Sequence, residues 1–152
     1  MDIIAEYIPG NRQFYSAGCV YAHDSSGRVV GKPVNCLFLW DTGAVCSAIS
    51  LKLARKLNLP RYPDSEFRGV AGSFRGPNCS AALVFRGTDG GLWYKTALLG
   101  TFPEPHIEGA QVIIGIDLIL KGKLVIEKRD EKPVLTFSVD DNDKGVIPPD
   151  PE

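Results

Sequence analysis

The sequence predicts one mostly β domain. Three observations predict it: short apolar or alternating runs recur along the chain, turn residues separate them, and helical periodicity is confined to brief segments. At 152 residues the chain is long enough to bury a core of its own, and its 16 glycines and 11 prolines supply the punctuation that short strands need.

Taken in order, the candidate strands are "IIAEYI" (3–8), "FYSAGCVYA" (14–22), "KPVNCLFLW" (32–40), "SAALVFR" (80–86), "LWYKTALLG" (92–100), "KLVIE" (123–127) and "VLTFSV" (134–139). "DSSG" (24–27) and "TDGG" (88–91) read as hairpin turns, because Asp-Gly and Gly-Gly tolerate positive φ. "SLKLARKLNLP" (50–60) departs from the β pattern. Ser50 is placed to cap a short helix, Leu53, Ala54 and Leu57 share one face, and Pro60 stops the run. A second helical turn is expected from Asp117, ending at Gly122. No repeat of 20–50 residues is visible.

Composition excludes several function classes. An apolar fraction of 44% and a charged fraction of 23% are ordinary for a globular protein. A net charge of −1 argues against nucleic acid or an anionic membrane as partner, and Arg68, Arg75 and Arg86 read as a solvated face. The start "MDIIAEYIPG" lacks the basic residues of a signal peptide, and no apolar run approaches the roughly 18 residues of a membrane helix. The expectation is a soluble, uncleaved, cytoplasmic chain. Cys19, Cys36, Cys46 and Cys79 are irregularly spaced and accompanied by two histidines, so free thiols are expected rather than a metal site.

Three motifs carry the chemistry. In "LFLWDTGAVCSAIS" (37–50) an apolar run, read as a strand buried on both faces, ends on Asp41-Thr42-Gly43-Ala44. A turn after a buried strand would desolvate Asp41, and burying an unpaired carboxylate is costly, so the acid either caps the turn or serves chemistry. "FRGVAGSFRG" (67–76) reads as a glycine-rich hairpin, and no Lys-Ser/Thr pair follows to make it a phosphate cradle. "VIIGIDLIL" (112–120) reads as a core strand entering a helix, with Gly115 permitting close packing.

In this order the three pieces resemble the retropepsin-like aspartic proteases, the single-lobed relatives of pepsin, in their bacterial and cellular form. The pieces are Leu39-Trp40-Asp41-Thr42-Gly43-Ala44, the hairpin 69–76, and Ile113-Ile114-Gly115, and the likeness spans about 33–126. The resemblance implies a closed β-barrel forming one acid-protease half-lobe over 1–139, with 140–152 an acidic, proline-rich tail expected to be disordered. It implies Asp41 as the catalytic acid and Thr42 as a hydrogen-bonding link across a twofold axis. Gly43 would admit the substrate backbone, and Ala44 would line the cleft. Val70, Ala71 and Gly72 would form the flap tip, Ile114 and Gly115 would thread beside the catalytic loop, and residues 103–107 would shape a pocket wall. The viral members of the family pair an acid after the Ala with an arginine after the later Gly. Val45 and Ile116 stand there instead, so both halves of that ion pair are missing.

A single Asp-Thr-Gly occurs, so the resemblance implies a homodimer with one Asp41 from each copy, a polypeptide substrate, and neither cofactor nor metal. The competing function is a catalytically inactive module of the same fold that dimerises or binds extended peptides by β-pairing. The intact Asp41-Thr42-Gly43 favours the enzyme. A cysteine enzyme built on Cys46 is disfavoured, since neither histidine is near it in sequence: His23 belongs to a hairpin and His106 to a loop. "GSFRG" has the wrong spacing for a serine nucleophile elbow.

Overall fold

The computed structural model of the chain describes residues 1–69, 72–103 and 109–140. Val70 and Ala71 of the expected flap tip, His106 with most of the expected pocket wall, and the tail from 141 onward lie outside the described residues. The chain is mostly β. Its elements run β1 (Asp2–Ile8), β2 (Gln13–His23), β3 (Val29–Trp40), β4 (Ala48–Ser50), α1 (Leu51–Lys56), β5 (Arg61–Gly69), β6 (Gly72–Arg86), β7 (Leu92–Phe102), β8 (Ala110–Ile114), α2 (Ile116–Ile119), β9 (Lys123–Arg129) and β10 (Lys132–Ser138).

The strands pair in the order β5-β6-β7-β4-β8-β3-β2-β1-β10-β9, and β2 also pairs with β6. That extra pairing joins β6-β7-β4-β8-β3-β2 into a closed circuit of hydrogen-bonded neighbours. Gly18 makes the closure possible. It faces Cys36 on β3 and Phe85 on β6, and a Cβ there would lie 2.6 Å from Phe38 Cζ and 2.7 Å from the Val84 carbonyl oxygen.

One face of the sheet buries an aromatic stack. Phe85 lies 4.9 Å from Phe38 and 5.0 Å from Trp93, and Trp40 lies 5.1 Å from Phe137, ring centre to ring centre. These tilted and edge-on contacts are the favourable arrangements for aromatic pairs. They explain the bulk of Trp40 before the acid: it fills this core while its Nε1 donates to Ser16 Oγ at 2.9 Å.

The sequence expectations meet the structure with four adjustments. Strands β4 and β5 are additions. β5 carries Pro63, which the ladder accommodates by a register shift between Tyr62 and Asp64. α2 spans Ile116–Ile119 rather than running from Asp117 to Gly122, because Gly115 takes the extended N-cap position and Leu120 the C-cap. The run before Asp41 is not buried throughout: Leu37 is 41% exposed, and burial begins at Phe38. As expected, Ser50 caps α1, accepting the Leu53 amide at 3.1 Å, and Asp24 Oδ1 holds its turn by accepting the Ser26 and Arg28 amides.

All four cysteines are free thiols. Burial pushes the Cys36 thiol from 9.0 up to about 12, with the neighbouring Cys19 adding to the rise. Burial likewise takes Cys79 to about 11, against a smaller opposing pull from Arg61.

Two outcomes are expected. Gly18→Ala should lower stability by about 1–3 kcal/mol through overpacking, read as a lower denaturant midpoint; an unchanged midpoint would contradict the tight crossing at β2. The folded chain keeps the Cys36 thiol protonated to about pH 12, whereas an unfolded thiol ionises near 9.0. Stability contributed by this group is therefore complete below pH 9 and lost as pH rises toward 12. Chemical denaturation of Cys36→Ala over that range should show a shallower loss than the parent protein.

Candidate active site

The topology brings Asp41 and Gly115 to one place. β3 and β8 are parallel neighbours with Trp40 opposite Ile114, so both strands end at the same edge of the sheet. β4 runs antiparallel on the other side of β8, with Ala48 opposite Ile113. The loop 41–47 that joins β3 to β4 must therefore pass across the end of β8. Backbone bonds fix that passage: the Asp41 amide donates to the Ile114 carbonyl at 2.9 Å, and the Ile116 amide donates to the Ala44 carbonyl at 2.8 Å. A Cβ on Gly115 would sit 2.7 Å from the Cys46 carbonyl carbon and oxygen and 2.8 Å from the Ala44 carbonyl oxygen. Glycine is required there by the approach of backbone to backbone.

Asp41 is 9% exposed at the start of this loop. Its Oδ1 accepts the Gly43 amide at 2.9 Å, and the Ala44 amide donates to its carbonyl oxygen at 3.2 Å. The tight turn thus holds the carboxylate by its own chain, which answers how a buried strand can end on an acid. Thr42 and Gly43 are exposed, as are Val45, at 72%, and Cys46. Ala44 is fully buried, within a cluster that includes Leu39, Ala48, Phe67, Phe102, Ala110 and Ile113. Ile114 is buried in the core directly beneath. Gly72, at the start of β6, pairs with Gly69 to close the described part of the β5–β6 hairpin.

The structure adds a connection that motif reading missed. The Ser47 amide donates to both oxygens of Asp117, at 2.9 and 3.0 Å, and its hydroxyl donates to Asp117 Oδ1 at 2.7 Å. Ser47 Oγ in turn accepts the Gly115 amide at 2.8 Å, and Asp117 Oδ1 also accepts the Leu118 amide. Ser47 is fully buried. A carboxylate on α2 therefore clips the far end of the loop to the strand it crosses. The sequence signal was Asp117 in an otherwise apolar helical turn. An acid at such a position near a helix start invites a search for amides to bind.

Other candidate groups stand apart from this loop. His23, at the end of β2, meets Ser80 Oγ through Nε2 at 2.7 Å and the Asp24 carbonyl oxygen through Nδ1 at 2.8 Å. Among the described residues, no three His, Cys, Asp or Glu side chains gather in a metal-binding group, and no helix is long and apolar enough to cross a membrane.

Asp117→Ala should cost about 1.5–3 kcal/mol, because it strips hydrogen bonds to a charged group and leaves the buried Ser47 amide without that acceptor. The measurement is the denaturation midpoint, and a neutral substitution would contradict the clip. A thiol reagent applied to the folded protein near neutral pH should label Cys46 first. Modification of Cys19 or Cys79 at a similar rate would contradict their burial.

No family model and no curated protein matches the chain. Among solved structures, the chain is similar to a retropepsin-like aspartic protease from Rickettsia conorii, at 15% identity over 90% of this chain and 91% of that chain, with a TM-score of 0.47.

Proposed function

We propose that the protein is an aspartic endopeptidase acting as a homodimer, with one Asp41 from each copy activating a shared water for peptide-bond hydrolysis. The observation that carries this reading is the placement of Asp41: a buried carboxylate on a tight Asp-Thr-Gly turn, clipped over the end of β8, with Thr42 and Gly43 on the open side.

The chemistry follows from pairing two such loops. Two carboxylates about 3 Å apart do not ionise together easily, so they share one proton. The ionised oxygen takes a proton from a water held between them, and the protonated partner donates to the carbonyl oxygen of the scissile peptide. Attack of the water gives a tetrahedral diol whose collapse releases the amine. No acyl-enzyme forms. The loops meet through Thr42 hydrogen-bonding to its counterpart across the twofold axis. Gly43 leaves space for the substrate backbone, and Ala44, expected to line the cleft, instead packs behind the loop in the buried cluster. The flap role, covering the substrate and excluding water, falls to Val70, Ala71 and Gly72. Ile114 and Gly115 support the loop from below, the latter by its missing side chain.

Asp41→Asn should lower peptide cleavage by about 10²–10⁴-fold or more while leaving the fold and the dimer intact. Activity retained by the purified variant would refute the assignment. Specific activity of the parent protein should fall on dilution as copies separate, and a value independent of concentration would contradict a shared site.

A further inference from the structure

We infer that the hollow between α1 and the root of the β5–β6 hairpin binds a phosphoryl group, as free phosphate or as the end of a larger molecule, between the guanidinium groups of Arg55 and Arg61. The inference goes beyond the aspartic-protease reading and does not depend on it, since no residue of the Asp41 loop takes part.

The hollow follows from how α1 ends. The Asn58 amide donates to the Arg55 carbonyl at 3.0 Å, the Leu59 amide donates to the Ala54 carbonyl at 3.1 Å, and Asn58 takes the left-handed conformation, with φ at 51°. These two bonds are those of a tight helix ending in which asparagine stands where glycine is commoner. The chain turns back at once, Pro60 keeps the helix from resuming, and β5 opens at Arg61, paired with Cys79 of β6. This return leaves a pocket of about 150 Å³ whose lining includes Ala54, Arg55, Asn58, Leu59, Arg61 and Cys79.

Charge and size select the ligand. From Thr42 to Pro63 the sequence holds Lys52, Arg55, Lys56 and Arg61 and no acid, in a chain whose net charge is −1. Among the described residues no acidic side chain lines the pocket, and neither Arg55 nor Arg61 forms an ion pair. The helix end does not explain both cations. Backbone amides already take the Leu53, Ala54 and Arg55 carbonyls, and the helix dipole favours Arg55 and Lys56 in the last turn but not Arg61 on the next strand. Two guanidinium forks on one concave surface add their fields and match the oxygen edges of a phosphoryl group. A volume of about 150 Å³ is that of about five waters at roughly 30 Å³ each. It falls below the roughly 300–1,000 Å³ of pockets that enclose whole drug-sized ligands. The pocket therefore takes the anion and leaves any larger remainder outside. Bound there, the anion fastens α1 to the first residue of β5.

The test is titration of the protein with inorganic phosphate in a phosphate-free buffer, read by calorimetry and by the thermal midpoint, with sodium chloride at matched ionic strength as the control. Phosphate should bind and raise the midpoint progressively, as a ligand of the folded state does, and chloride should not. Arg55→Gln and Arg61→Gln should each weaken phosphate binding by about tenfold or more. Lys52→Gln, on the same helix but outside the pocket lining, should leave it unchanged. N-acetyl phosphoserine amide distinguishes the sources: tighter binding than phosphate assigns the pocket to a phosphorylated chain, and equal or weaker binding assigns it to the free ion. Binding of neither compound, equal midpoint shifts with phosphate and chloride, or phosphate binding that survives loss of both arginines overturns the inference.

Discussion

The site depends on one steric constraint: the loop 41–47 crosses the end of β8 where no Cβ fits on Gly115. Parallel pairing of β3 with β8, and antiparallel pairing of β4 on the other side, oblige the loop to make that crossing. The Asp41, Ile116 and Gly115 amides are each satisfied across it. A buried amide left without a partner would cost free energy, so the crossing and its bonds specify one another. The acid sits where it does because the strand before it, the strand beneath it and the glycine that follows leave the turn one close path.

The loop and the hairpin are held by different means. Ser47 and Asp117 clip the loop to α2 with several short hydrogen bonds, and Asp41 is fixed further by the Gly43 amide. On β5 the burial of Phe67 is the main apolar tie to the cluster beside Ala44. Segments with few buried apolar contacts open at lower free energy than the core around them.

Much of this was legible in the sequence because local chemistry and tertiary context agreed. Ser50 before an amphipathic run, Asp24 before two serines and a glycine, and the apolar runs of β2, β7 and β10 all appear where their residue types predict. The parts that were not legible are those where context overrode local preference. β5 hides behind Pro63 and its charges, because one buried ring and pairing with β6 suffice to hold it. The turn between β9 and β10 uses Asp130 and Glu131, both at positive φ, where glycine or asparagine would be the usual signal. Ser47 and Asp117 lie seventy residues apart, so no spacing rule joins them. Within the site, Asp41, Gly43 and Gly115 could be singled out by motif, whereas the burial of Ala44 beneath Phe67 required the fold.

The central claim is that two Asp41 carboxylates face each other across a twofold axis. A crystal structure of the assembled protein measures this directly. The account predicts carboxyl oxygens from two copies about 3 Å apart with a water between them. Asp41 facing only solvent or its own chain in every copy would contradict it.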